Sequence, residues 1–111
     1  MTDRKKKYYY DILSAIALID EFLTGTTLFA QYITDKKTKS AVERQLAIIG
    51  EAITQIKKID RNEIITDHSK IIAFRNLLIH SYDNVDDRQV WAIVTSQLQP
   101  LKEEVKAKLN T

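Results

Sequence analysis

The sequence predicts an all-α fold, a roughly antiparallel bundle of four main helices with short extra helical pieces. Three observations carry this. The 111 residues contain two glycines and one proline, so few turns are chemically enforced and long helices with short connections are favoured. Apolar residues recur at three- and four-residue intervals through most of the chain, the period of a helix with one buried face. No strand-like alternation persists, and no internal repeat is visible. The length suits one domain covering residues 1–111.

The elements follow in order. Tyr9, Ile12, Leu13, Ile16, Ile19 and Leu23 draw one apolar stripe along a first helix, which Thr24, Gly25, Thr26 and Thr27 interrupt. A short helical piece is expected from Leu28 to Ile33. The second long helix runs from about Lys37 to Ile59, with Ala41, Val42, Leu46, Ile49, Ile53 and Ile56 on its stripe. Gly50 lies inside it at a cost of roughly 1 kcal/mol against Ala, which suggests that another helix passes close by. A loop at Asp60–Glu63 leads to a third major helix over about Asp67 to Tyr82, and a further loop holds Asp83 and Asn84. Asp86 with Gln89 resembles a capping box for the last helix. That helix turns Val90, Trp91, Val94, Leu98, Leu101, Val105 and Leu109 inward, and Pro100 should kink or split it near Gln97–Gln99.

Composition narrows the function classes. Hydrophobic residues make up 44% and charged residues 29% of the chain, ordinary for a folded domain and unlike a disordered one. Without cysteine there is neither a disulfide framework nor a thiolate metal site. The basic start at Arg4–Lys7 runs into Tyr8, Tyr9, Tyr10 and Asp11 rather than an apolar core, which argues against a secretory signal. No apolar run approaches a membrane span, so a cytoplasmic protein is expected. A net charge of +2 does not advertise a polyanion partner. Basic residues do cluster at positions 4–7 and at Lys36, Lys37, Lys39 and Arg44, where they either attract phosphates or simply solvate helix ends. Of the three consecutive tyrosines, Tyr9 fits the core stripe. Trp91 reads as core or subunit interface.

The informative segment is residues 71–82, IIAFRNLLIHSY. Apolar residues cover nearly its whole circumference, the pattern of a buried helix, yet Arg75, Asn76 and His80 are set into it. At 100° per residue Asn76 and His80 share one stripe, and Tyr82 lies almost over Arg75 two turns along. Arg75 and His80 stand about 140° apart, so they converge only if the helix ends or bends near His80. A buried Arg needs a partner. Glu51 on the preceding helix could supply an ion pair, or could equally face solvent. Either these polar groups are satisfied structural residues, or they line a cleft that a partner or substrate completes.

Arg offers a planar, permanently charged fork suited to phosphate, and His moves protons at neutral pH. Together they suit RNA phosphodiester cleavage by the adjacent 2′-hydroxyl. That reaction wants a base and an acid, and this segment has one His. A twofold dimer would bring two copies of each residue to one cleft.

The stretch RNLLIHSY (75–82) matches the R-x4-H-x-Y motif of HepT-like proteins in the HEPN superfamily. SAVERQLAIIGEA (40–52) is similar to the family's long second helix with its Gly-Glu-Ala, and VDDRQVWAIVTSQLQPL (85–101) to its tail. The resemblance covers most of the chain in the expected order. It implies a HEPN-like helical homodimer whose two motifs meet in a basic cleft and cut RNA without a metal or cofactor. It also implies a toxin–antitoxin pair, in which a minimal nucleotidyltransferase antitoxin transfers AMP from ATP to the motif tyrosine. Carried over by position, Arg75 would bind the scissile phosphate, His80 would shuttle protons, and Asn76 would orient the His or the phosphate. Tyr82 would take the AMP. Many relatives carry a Pro and a Trp before the motif where this chain has Ile65-Thr66-Asp67-His68-Ser69. His68 there is either an exposed residue of the first helical turn or a supporting contact to RNA. The competing reading of the whole chain is a non-catalytic helical adaptor or nucleotide-binding partner of the nucleotidyltransferase.

Overall fold

The computed structural model describes residues 1–66 and 68–110 and contains six α-helices and one 3₁₀ turn among them. They are α1 (Asp3–Phe22), α2 (Phe29–Thr34), α3 (Lys36–Ile59), α4 (Ser69–His80), the turn Tyr82–Asn84, α5 (Asp87–Ser96) and α6 (Leu98–Leu109). The all-α architecture of the sequence analysis is present, with α1, α3, α4 and the α5–α6 pair as its four main parts.

Each boundary has a local cause. Thr2 caps α1 by accepting from the Lys5 backbone N–H at 3.2 Å. Gly25, at φ +82°, takes the left-handed conformation that lets the chain turn away after α1. Asp35 caps α3 through the Thr38 N–H at 3.1 Å. The third helix is shorter than expected: it starts at Ser69 and ends at His80, and the expected start at Asp67 lies outside the described residues. Asp86 caps α5 but bonds the Arg88 N–H at 2.9 Å. Gln89 does not close a box with it and instead lines a groove between α4 and α5. Pro100 splits the last helix as expected. It falls in the first turn of α6, where a missing N–H leaves nothing unbonded.

One apolar core joins α1, α3 and the rest. Tyr9, Ile12, Ile16 and Ile19 of α1 meet Val42, Leu46, Ile49, Ile53 and Ile56 of α3, all buried. Burying each such side chain contributes about 1.5–3 kcal/mol. Val90 and Ile93 of α5, and Leu98, Leu101 and Val105 of α6, complete the core. Trp91 is half-buried and packs against Tyr32, ring centroids 5.3 Å apart, and against Phe29 at 6.4 Å. At one end of the bundle Glu63 accepts hydrogen bonds from Lys5, from the Tyr9 hydroxyl at 2.6 Å and from Lys108 at 3.0 Å. Lys5 also pairs with Asp60 at 3.0 Å. These bonds tie the start of α1 to the loop after α3 and to the end of α6. No helix among the described residues is long and apolar enough to cross a membrane.

Candidate active site along the α3–α4 seam

The α3 stripe that faces α4 is interrupted by small and polar residues, and that decides how close α4 comes. At Gly50 a Cβ would stand 2.8 Å from the Arg75 Cβ and 3.2 Å from the Ile71 carbonyl oxygen, so the expected close helix is α4 itself. The cross-pairs run in opposite directions, Arg75 to Glu51 and Tyr82 to Glu43, which fixes the two helices as antiparallel.

One expectation is corrected. The apolar circumference of α4 predicted a buried helix, but only Ile71 and Phe74 are buried. Leu77 and Leu78 are half-buried and Ile79 is 56% exposed. Leu78, which also packs on the core, and Ile79 therefore form an open apolar strip along the seam beside half-buried Ile48 of α3, while Leu77 lines a separate groove against α5.

Arg75 is half-buried within that strip. Its guanidinium is held on two sides, by the Glu51 carboxylate and by the Asn76 Oδ1, which accepts at 3.0 Å. Glu51 is in turn held by the Gln55 amide, which donates to Oε1 at 2.7 Å. That bond, followed by Arg75, keeps the Glu51 carboxyl below its usual range and so ionised. The guanidinium has five N–H groups, and two of them make these bonds; the buried Nε makes none among the described residues. Arg75 is thus a clamped fork with donors left to offer.

His80 is exposed as the last residue of α4. The Ser81 N–H closes the helix on the Leu77 carbonyl at 2.8 Å, and the backbone then leaves helical geometry at Ser81 (φ −158°, ψ 56°). The helix ends just after His80, but His80 does not join Arg75 in the lining of the groove along the seam. Tyr82, 56% exposed, donates its hydroxyl proton to Glu43 Oε1 at 3.0 Å. Glu43 is 5% exposed, and burial pushes its carboxyl up, partly offset by the Tyr82 bond. Lys39 flanks it, paired with Asp87 at 2.7 Å.

An open groove of about 450 Å³ collects Arg75, Glu51 and Tyr82 with Glu43, Arg44 and Ile79. Asn76 and His80 are exposed on α4 and are not part of its lining. His68 also lies elsewhere. It precedes α4 as a half-buried cap residue whose Nδ1 contacts the Ile65 carbonyl oxygen, so it is not the exposed first-turn His expected. Glu43 was missed from the sequence. The available signal was its spacing: Glu43, Ala47 and Gly50 share one stripe of α3, so a carboxylate sits on the face that meets α4.

Fold and seam together define a helical-bundle protein with an Arg and a Tyr displayed in one open inter-helix groove and a His exposed at the end of the same helix. Residues 12–107 match the ribonuclease HepT-like family. The chain is 40% identical over 102 residues to a protein of Thermococcus cleftensis named "Probable ribonuclease HepT", covering 87% of this chain and 88% of the relative. Two proteins of Methanocaldococcus jannaschii whose names provisionally assign them as RNases are also similar. One is 33% identical over 102 residues (91% of this chain, 93% of the relative), the other 36% over 100 residues (89% and 85%). No solved structure matches. The chain belongs to the ribonuclease HepT-like family.

Proposed function

We propose that this protein is a metal-independent endoribonuclease, the toxin of a toxin–antitoxin pair, acting as a homodimer in the cytoplasm. The observation that carries the reading is the state of Arg75: its fork is fixed by Glu51 and Asn76, yet it keeps N–H donors for a phosphate beside an open groove. A fixed cation with unsatisfied donors is preorganised for an oxyanion whose charge grows in the transition state. Kinship with proteins named as ribonucleases points to RNA as the polyanion.

In the proposed reaction Arg75 binds the non-bridging oxygens of the scissile phosphate. His80 of one copy takes the 2′-hydroxyl proton as that oxygen attacks phosphorus. The bond to the 5′-oxygen breaks, and His80 of the second copy returns a proton to it. The products are a cyclic phosphate and a 5′-hydroxyl end. Two copies are needed because each brings one His at this position. The strip of Ile48, Leu78 and Ile79 supplies an apolar face for their association.

Control is proposed at Tyr82. A nucleotidyltransferase antitoxin would transfer AMP from ATP to its hydroxyl oxygen, releasing pyrophosphate and the hydroxyl proton; Tyr82 is exposed and its hydroxyl is held by Glu43 within the groove that contains Arg75. The added phosphate and base would block RNA by bulk and by repulsion. Expression of the chain should arrest growth, and His80→Ala should relieve the arrest. Equal toxicity of that variant would favour a binding-only role.

A further inference from the structure

The α3–α4 seam continues past Arg75. Toward the C-terminus of α3, Thr54, Lys57, Lys58 and Arg61 face Ile72 across a second open groove of about 430 Å³. The antiparallel register joins the two grooves end to end. The Tyr82 half is lined by α3 positions 40–51 with Arg75, Leu78 and Ile79 of α4 and Tyr82 just beyond it, and the other half by Thr54, Lys57 and Lys58 of α3 and Arg61 with Ile72. Gly50 and Glu51 against Arg75 form the waist between them. Lys58 acts electrostatically on Glu51 across that waist.

Carboxylates near this second groove are directed elsewhere. Asp60 adjoins Arg61 in sequence but pairs with Lys5, and Glu63 takes Lys5, Tyr9 and Lys108. Among the described residues, Lys57, Lys58 and Arg61 have no carboxylate oxygen within 4.0 Å. Lys58 and Arg61 are exposed and Lys57 is half-buried. Three cations without a direct carboxylate partner thus line one groove, which opens past the Glu51–Arg75 pair onto the groove that holds Arg75.

We propose that Lys57, Lys58 and Arg61 form a phosphate-binding track for the RNA strand that flanks the scissile phosphate, an assignment that rests on the ribonuclease reading above. The dimensions suit it. Seven residues of α3 separate Glu51 from Lys58, about 10 Å at the helical rise. A stacked strand advances about 3.4 Å per nucleotide, so Lys58 meets the strand roughly three nucleotides from the waist at Arg75. Contacts of this kind fix the strand's position and carry no base preference.

The test measures RNA affinity against KCl concentration, using a fluorescent single-stranded RNA and the non-cleaving His80→Ala chain. Single strands lose about 0.7 in the log–log salt slope for each phosphate contact removed. Adding K57A, K58A and R61A together should therefore lower the slope by about 2, and K58A alone by about 0.7. Lys36→Ala with Lys37→Ala, remote from the groove, should leave the slope as it is. An unchanged slope in both groove variants overturns the track, as does an equal fall in the Lys36/Lys37 control. If the His80→Ala chain binds no RNA at all, the ribonuclease reading falls with it.

Discussion

Gly50 and Arg75 touch across the α3–α4 seam, and a Cβ added to Gly50 would lie 2.8 Å from the Arg75 Cβ. The residue that presents its guanidinium to the groove is therefore seated on a position of α3 that only hydrogen fills. Placement of the fork follows from the absence of a side chain on the neighbouring helix.

Gly50→Ala should accordingly destabilise the fold, against the usual trend for helix interiors. Helix propensity favours Ala by about 1 kcal/mol, but forcing a methyl into a packed contact costs about 1–3 kcal/mol. The blocking atoms are a Cβ and a backbone carbonyl, which cannot swing aside. A net loss of up to about 2 kcal/mol in urea unfolding is expected, with reduced RNA cleavage. A gain near 1 kcal/mol would mean that the seam yields freely.

Glu51→Gln should leave the protein folded and slow cleavage. The substitution keeps the shape while removing the charge that holds Arg75. A hydrogen bond to a charged group contributes about 1.5–3 kcal/mol, so kcat should fall by about 10- to 100-fold with a smaller change in KM. A proportionate loss of thermal stability with unchanged kcat would make Glu51 a structural residue only.

Acid should unfold the protein partly through Glu63. Burial alone would raise its pKa, but the bonds from Lys5, Tyr9 and Lys108 outweigh it and hold the carboxyl at about 2. A folded pKa below the unfolded one gives stability that is present above the unfolded value and lost as pH falls toward the folded one. Melting temperature should therefore drop between about pH 5 and pH 2. Glu63→Gln should lower stability at neutral pH and flatten that drop. An identical acid profile in the variant would assign the transition to other groups.

Much of the fold was legible because apolar periodicity survives in α1, α3 and α5–α6, and because Pro100 marks the split in the last helix. Periodicity misread α4. Leu77, Leu78 and Ile79 look like core residues, yet within one copy the first two are only half-buried and Ile79 is exposed, and a one-chain pattern cannot separate core from uncovered surface. At the site, the Glu51–Arg75 pair was open to inference, since a half-buried Arg needs a carboxylate. Glu43 was not found, because its partner Tyr82 lies beyond the end of α4, where helical angles no longer predict direction. The Lys57–Arg61 track escaped notice for a related reason. Its significance comes from Asp60 and Glu63 turning to Lys5, a fact of tertiary structure.

Tyr82→Phe should keep the fold and the cleavage activity while abolishing AMP transfer by the antitoxin. Glu43 is 5% exposed and loses its hydroxyl donor, so stability should fall by about 1–3 kcal/mol. Intact-mass measurement after incubation with the nucleotidyltransferase and ATP reads this directly. An adduct that persists on Tyr82→Phe would move the modification to another residue.

Incubation of total RNA with the purified protein in EDTA, beside Arg75→Ala and His80→Ala, tests the central claim most directly. The account predicts cleavage by the wild type and a loss of at least about 100-fold in each variant, the range for removing a proton-transfer group or a charge-stabilising donor. RNA left intact by a protein shown to carry no AMP on Tyr82, or cut equally by all three, would contradict it.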